Sequence, residues 1–430
     1  MSGYLLRGVS LLGEARVDVL IDGGIISEVS KKPLAPTGVH AIDCEGLVAL
    51  PGLVDLHTHL REPGREDSET VQSGSAAAAL GGFVAVHAMA NTTPVADTAG
   101  VVEQVYRLGR EAGWCDVRPV GAVTVGLHGT QLAELAAMAH SAARVRIFSD
   151  DGKCVADPIL MRRALEYVKA FDGVIAQHAQ EPRLTEDAQM NEGFVSSQLG
   201  LRGWPAVAEE SIISRDVLLA EHVGSRLHVC HLSTAGSVEI VRWAKSRGVM
   251  VTAEVTPHHL LLTDELARSY DPRYKVNPPL RRDEDVMALR QGLADGTIDA
   301  VATDHAPHPV EDKECEWSSA AFGMIGLQSA LSVVQTSMIE TGLMTWSEVS
   351  DRMSTRPARI GSLRDHGRPI AVGEPANVVL LDPRGKSSFT LENNASLSTN
   401  SPFIGMELFG RVEATFLRGR ATVLDGKLAG

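Results

Sequence analysis

The side chains with the most chemistry in this chain are His57 and His59, in the run Asp55-Leu56-His57-Thr58-His59-Leu60-Arg61-Glu62. They follow an apolar stretch, Leu47-Val48-Ala49-Leu50-Pro51-Gly52-Leu53-Val54, that reads as a buried strand. Residues two apart on a strand share a face. Both imidazoles therefore project together from the strand's C-terminal end and form half of a transition-metal site. Further ligand types end later apolar runs: Asp150-Asp151, His178, His231 and Asp304. Each alone has an ordinary explanation, a hydrogen-bonded histidine or an aspartate that forms a turn or caps a helix. Five such strand ends are harder to explain that way. Four imidazoles and two carboxylates suit one or two zinc ions, with two favoured, and two ions sharing a carboxylate and a hydroxide would make a strong nucleophile at neutral pH. Asp150 and Asp151 are adjacent and face opposite ways, so only one of them can be a ligand.

Positioning these residues takes a repeated scaffold. Eight candidate strands run Leu47–His59, Phe83–Ala90, Val117–Thr124, Arg144–Asp151, Gly173–Ala179, Leu227–Ser233, Met250–His258 and Ala300–His305. Amphipathic stretches lie between them: Glu66–Leu80, Asp97–Ala112, Pro158–Phe171, Glu209–His222, Gly236–Arg247 and Asp283–Asp295. Alternation of apolar strands with helices implies a parallel sheet, and eight repeats fit a (β/α)8 TIM-type barrel, an α/β fold. An open doubly wound sheet is the alternative, and no G-x-G-x-x-G follows the first strand to support it. In a barrel, chemistry sits at the C-terminal strand ends, where all the candidates fall. The two chain ends are different. Arg16–Ile21, Ile25–Val29, Ala376–Leu381, Gly410–Gly419 and Thr422–Leu428 read as short strands with turns such as Asp22-Gly23-Gly24. Residues 1–52 and 362–430 are expected to form one composite β-sandwich, with 53–361 as the barrel.

Composition sets the remaining bounds. The chain has 430 residues, 44% hydrophobic and 22% charged, enough for a large core. A net charge of −14 argues against non-specific binding to nucleic acid or an anionic membrane, but not against a small anionic substrate. The five cysteines are scattered, with no CxxC pair, which fits a reducing cytoplasm. The N-terminus lacks the apolar stretch of a signal peptide. The apolar run from Ser75 to Ala90 is interrupted by Gly81-Gly82 and His87, and reads as a helix end and a strand rather than a membrane span.

Several longer segments carry a family resemblance. They are Asp55–Gly64, Ala88-Met89-Ala90-Asn91-Thr92, Phe148-Ser149-Asp150-Asp151-Gly152, Ala176-Gln177-His178, His228–Ser233, Ala253–Leu260, Val276-Asn277-Pro278-Pro279-Leu280 and Ala302–His308. With their order and spacing, the chain resembles the class I dihydroorotases, cyclic amidases of the amidohydrolase superfamily, nearly end to end. The resemblance implies a barrel with a composite β-sandwich, and a zinc-dependent enzyme that closes N-carbamoyl-L-aspartate to L-dihydroorotate and water, reversibly, in pyrimidine (UMP) biosynthesis. It implies that His57 and His59 bind the more buried metal, His178 and His231 the other, and that Asp151 bridges them, which leaves Asp150 structural. Asp304 would touch metal and shuttle the proton from the attacking hydroxide to the departing ring nitrogen. Arg61, Asn91 and His308 would grip the substrate carboxylate; Asn277 and the backbone at Phe322-Gly323 would hold the ring. A planar guanidinium suits a carboxylate, although Arg61 could instead pair with Glu62 or Glu66 on the surface.

Other residues leave alternatives open. Lys153 could be imagined as a carboxylated bridge of the kind hydantoinase-like relatives use, but it lies beyond Gly152 in an expected loop. His258 and His259 are expected to pack or to support the ligands. The polar segment His308–Trp317 reads equally as a mobile lid or a solvated loop. Asn191-Glu192-Gly193 departs from the family's usual His-Glu-Gly, and His87 is expected to point into the core. A hydantoinase, dihydropyrimidinase or allantoinase is the second reading, and an inactive structural partner of aspartate carbamoyltransferase the third. An active enzyme's association with that transcarbamoylase, or with itself as a homodimer, is left open.

Overall fold

Gly52 divides the apolar run ahead of the first two histidines in two. Where one strand is expected over Leu47–His59, the chain makes two, Val48–Pro51 and Leu53–Thr58. A Cβ at position 52 would meet Val84 Cγ1 at 2.5 Å, and the Gly52 N–H donates sideways to Asn377 O at 2.9 Å. The two pieces enter different sheets. This is a computed structural model that describes residues 3–429; positions 1, 2 and 430 of the expected composite unit lie outside the described residues.

Val48–Pro51 joins the chain ends. It pairs in parallel with Tyr4–Leu11 and antiparallel with Val378–Ser388. Around that junction runs one continuous nine-stranded sheet containing Ala15–Asp22, Ile25–Ser30 and His40–Asp43 from the N-terminal part and Glu407–Leu417, Arg420–Leu424 and Lys427–Leu428 from the C-terminal part. Leu6, Val19, Ile26, Val378 and Phe416 share its buried face. Gly23 and Gly24, at φ +58° and +87°, make the tight turn read from the sequence, in a conformation that costs glycine little.

Leu53–Thr58 starts the parallel part. With Phe83–Ala88 and Asp116–Pro119 it forms a three-stranded sheet; Ile147–Phe148, Val174–Gln177, Leu227–Val229, Val251–Val255 and Ala300–Val301 form one of five. Parallel bridges Gly121–Phe148 and Thr58–His305 link the two. Pairing therefore runs in chain order from the first strand to the eighth and back to the first. Leu56, Met89, Ile147, Ala176, Cys230 and Ala302 pack together in one apolar cluster of these strands. The helices Val71–Leu80, Ala99–Ala112, Pro158–Val168, Val207–Val223, Ala235–Ser246 and Asp283–Asp295 lie close to the expected spans. Pro158–Val168 buries Met161, Ala164, Leu165 and Val168, the i, i+3, i+4, i+7 stripe of a helix packed on one side. Thr70, Asp157 and Thr234 cap helix starts by accepting backbone N–H bonds, each worth about 1 kcal/mol.

Several ladders are shorter than expected. Arg144–Asp151 contributes only Ile147–Phe148, Val117–Thr124 keeps a continuous ladder only as far as Pro119 with single bridges beyond, and Ala300–His305 contributes Ala300–Val301. Carboxylates replace the ladder at these ends. Asp150 Oδ1 accepts from the N–H groups of Val123 and Thr124 at 2.8 and 2.9 Å, and His231 and Asp304 turn to φ +32° and +46°, outside strand geometry. Asp150 is thus structural. After the eighth strand the chain adds helical segments over Ala330–Ile339 and Trp346–Ile360, for which the sequence reading named no element. All five cysteines are free, and no helix among the described residues is long and apolar enough to cross a membrane.

Candidate metal centre and active site

The end of the first parallel strand is locked before it presents any ligand. Asp55 is fully buried; its Oδ1 accepts from the N–H groups of His57 at 3.1 Å and Thr303 at 3.0 Å, and its Oδ2 from the Thr303 hydroxyl at 2.5 Å. Those bonds tie the first strand to the eighth. The His59 N–H adds another by donating to His305 O at 2.8 Å.

Six side chains then converge. Asp151 turns one carboxylate oxygen to each histidine pair: Oδ2 is 3.3 Å from both His57 Nε2 and His59 Nε2, and Oδ1 is 3.1 Å from both His178 Nδ1 and His231 Nε2. Asp304 Oδ1 lies 3.1 Å from His59 Nε2 and 3.5 Å from His57 Nε2. His178 Nδ1 and His231 Nε2 are 3.0 Å apart. The residues group as His57–His59–Asp151 and Asp151–His178–His231. All six are buried.

Nitrogen and oxygen donors of this kind could hold a metal ion, and the surrounding hydrogen bonds orient them. Two ring nitrogens 3.0 Å apart, both against one carboxylate oxygen, aim their lone pairs at a common point. His57 Nε2 is buried without a hydrogen-bond partner. The opposite ring nitrogens are engaged. His57 Nδ1 donates to Glu254 Oε1 at 2.8 Å, His59 Nδ1 to Asn91 Oδ1 at 2.9 Å, and His178 Nε2 to Gln180 Oε1 at 2.7 Å. These bonds fix the tautomers that leave the inward nitrogens free to ligate. Burial pushes Asp151 and Asp304 toward protonation, but the imidazoles, His57 foremost, outweigh it and hold both below the usual carboxylate range. Burial likewise opposes a charge on His57, yet Asp151 and Asp304 raise it well above its ordinary value.

Glu254 and His228 were not singled out from the sequence. Glu254 spans the ring interior between His57 Nδ1 and His228 Nε2, at 2.8 and 2.9 Å. Burial opposes its ionisation, and the two histidines bring it down to about 2. A charge inside the apolar strand Val251–Val255 was the available signal. Gln180, also missed, accepts from both His178 and Asn277. Lys153 is exposed in the turn after Asp151, where it plays no part in the cluster.

The expected substrate contacts gather beside this cluster. Arg61 does not pair with its acidic neighbours: Glu62 accepts from the Val71 N–H, and Glu66 from the Gly64 N–H. Instead Arg61 Nε donates to Pro307 O at 3.0 Å, and Nη2 lies 3.4 Å from His308 Nε2. His308 Nε2 donates to Phe322 O at 2.8 Å; burial, with Arg61 beside it, pushes that imidazole down to about 2, so it is neutral. Gly323 packs so closely that a Cβ would come within 2.8 Å of His308 Nε2, and its φ of +139° favours glycine. Asn277 donates from Nδ2 to Gln180 Oε1 at 3.1 Å and keeps a buried Oδ1 without a partner. Asn91 spends its carbonyl oxygen on His59, so it orients that imidazole.

Segment His308–Trp317 is pinned. Lys313 Nζ donates to Ala321 O and Gly323 O at 2.9 Å each and to Lys275 O at 3.3 Å. Lys275 Nζ donates to Trp317 O at 2.6 Å and sits 4.5 Å over the Phe322 ring. Lys313 and Trp317 are buried, while Val310, Glu311, Glu314, Cys315 and Glu316 are exposed, so the segment is solvated on its outer side and anchored at two points. His258 and His259 open the short helix Pro257–Leu261 rather than ending a strand; His259 bonds Thr256 at 2.7 Å, and burial pushes His258 down to about 4. Asn191 links Asp264 and the buried Arg281, and His87 is buried, with Nδ1 donating to Asp55 O at 2.9 Å.

The chain is similar over its length to known proteins. Residues 46–237 match the family described as Dihydro-orotase-like. A dihydroorotase of Streptomyces coelicolor is 68% identical over 428 residues, covering 100% of both chains, and one of Mycobacterium tuberculosis is 55% identical over 425 residues, 99% of each. Among solved structures, an L-hydantoinase from Arthrobacter aurescens superposes with a TM-score of 0.88 at 23% identity over 100% of this chain and 98% of its own. A dihydropyrimidinase from Brevibacillus agri gives 0.84 at 22% identity over 100% and 96%. At those identities the likeness is one of fold.

Proposed function

Since the chain belongs to the dihydroorotase family, we propose that the buried cluster around Asp151 is a zinc site at which the dihydroorotate ring is opened and closed. The chain is an enzyme that interconverts N-carbamoyl-L-aspartate and L-dihydroorotate plus water. The single observation that carries the site assignment is the Asp151 carboxylate, with one oxygen against His57 and His59 and the other against His178 and His231. That arrangement supports a bridging role and two zinc ions. We read the closed parallel ring as a (β/α)8 barrel with its chemistry at the C-terminal strand ends, and residues 1–52 and 362–430 as the composite β unit beside it.

Bound there, zinc supplies a Lewis acid that polarises the ring amide and makes water acidic enough to attack near neutral pH. The chain does the rest. With metal bound, His57, His59 and His178 would present their inward nitrogens as lone pairs, because Glu254, Asn91 and Gln180 occupy their outward nitrogens, and His231 Nε2 lies against the same Asp151 oxygen as His178 Nδ1. Asp304, ionised and facing His59, accepts the proton of the attacking water and returns it to the ring nitrogen as the carbon–nitrogen bond breaks. In the closing direction the same carboxyl group gives up its proton to the departing oxygen. Arg61 provides the bidentate fork for the substrate carboxylate, with His308 and the Asn91 amide beside it. The Asn277 side chain and the backbone of Phe322 and Gly323 position the ring.

A hydantoinase reading shares the fold but lacks support at two positions. Its bridging lysine would have to be Lys153, which is exposed, and hydantoins carry no carboxylate to engage Arg61. The inactive-partner reading requires lost ligands, whereas all six converge. Free cysteines fit a reducing cytoplasmic setting. Ring opening of L-dihydroorotate, followed by absorbance with zinc counted in the same sample, tests the assignment. Turnover should disappear in Asp304→Asn; persistence of full turnover in that variant would remove Asp304 from the mechanism.

A further inference from the structure

The metal centre takes the C-terminal ends of the parallel strands. On the opposite side, where the strands beginning at Asp116, Ile147 and Val174 start, there is a second cavity of about 450 Å3. Arg118, Arg144, Arg146, Arg364, His87 and His366 line it. Asp172 and Asp365 are the carboxylates in the lining, so four guanidiniums face two acids on a chain whose net charge is −14.

These cations are incompletely used. Arg146 Nη1 donates to Ala139 O and Val145 O at 2.9 and 2.8 Å. Arg118 lies 3.9 Å from Asp116 and 5.4 Å over the Tyr106 ring, and its Nε–H is buried with no partner. His366 is 3% exposed; its Nε2 donates to Asp116 Oδ2 at 2.8 Å, and its Nδ1 is buried without a partner. Among the described residues, Arg144 and Arg364 make no side-chain hydrogen bond or ion pair. A buried guanidinium N–H is a donor at every physiological pH and is costly to leave unpaired.

We propose that this cavity is a binding site for a small phosphate-bearing anion. Its volume lies in the range of small-molecule sites, and several planar guanidiniums around one space suit the oxygens of a phosphate or diphosphate better than a single carboxylate. The site borders the metal centre through one strand. His87, in the lining, donates to Asp55 O, and the Asp55 side chain accepts from the His57 N–H.

The test is calorimetric titration of diphosphate into the zinc-loaded enzyme at low ionic strength, with and without saturating dihydroorotate. Zinc is counted before and after to exclude extraction. One equivalent should bind whether or not dihydroorotate is present. Affinity should fall about tenfold or more in an Arg144→Ala/Arg364→Ala variant, whose exposed side chains can be removed with turnover kept within about twofold. Three results would overturn the proposal: no saturable binding, unchanged binding in the double variant, or binding displaced by dihydroorotate, which would put the anion at Arg61.

Discussion

Two halves of the active site are built in different ways. The proposed metal half hangs on strand ends, its six side chains are all buried, and three of the four histidines have the outward nitrogen fixed by a hydrogen bond. The substrate half lies on loops. Arg61 sits at φ +61°, Gly323 at φ +139°, and the segment between His308 and Gly323 is held through two buried lysine heads. The first half places atoms where charge must be controlled, so rigidity pays off in rate. The second has to admit and release a ligand, and is held at a few points. Gln180 joins them by accepting from both His178 and Asn277.

This contrast predicts where damage will fall. The largest effect belongs to the metal half: Asp304→Asn should lower kcat by about 10²–10⁴-fold, the usual contribution of a positioned acid–base group, with KM little changed. Next, Glu254→Gln should weaken zinc binding by roughly 10–100-fold, as loss of a carboxylate behind a ligating histidine does; chelator competition would measure it. In the substrate half, Arg61→Ala should cost about 1.5–3 kcal/mol, the worth of a charged hydrogen bond, expressed mainly as a higher KM for dihydroorotate. A loss confined to kcat would break the division between the halves. Lys313→Met should be milder, raising KM by about threefold to tenfold through a loosened Phe322–Gly323 backbone, with zinc content unchanged.

The smallest expected effect lies away from both halves. Burial would raise the Asp116 carboxyl, but His366 and Arg418 hold it below the usual range. A carboxylate depressed in the folded state contributes its full stability above its unfolded pKa of about 3.9 and loses it as pH falls below that. Asp116→Asn should therefore destabilise the protein at neutral pH, and its difference from the parent should shrink below about pH 4 in acid-unfolding curves.

The same contrast explains what the sequence made legible. His57, His59, His178, His231, Asp151 and Asp304 could be found because each follows or ends an apolar strand and a parallel ring fixes which ends meet, even though only His57 lies inside a strand and His231 and Asp304 leave strand geometry. Strand cores and six helices were readable for the same reason, from period and capping residues. The boundary between the two units was placed at residue 52, but the break it makes in the single strand expected over Leu47–His59 was not seen, because it depends on the Val84 side chain, 32 residues away in the chain. Lys313 gave no local sign either, since its partners are backbone carbonyls brought in from Lys275, Ala321 and Gly323. Glu254 was visible in principle: a charge inside an apolar strand demands a partner, and His57 and His228 are that partner.

The most direct measurement is to strip the protein with a chelator, return zinc in steps, and follow L-dihydroorotate ring opening at each step. The account predicts that turnover vanishes with the metal and returns in proportion to zinc, saturating at two equivalents per chain. Full turnover in the stripped protein, or a restored activity that accepts hydantoin but not dihydroorotate, would contradict it.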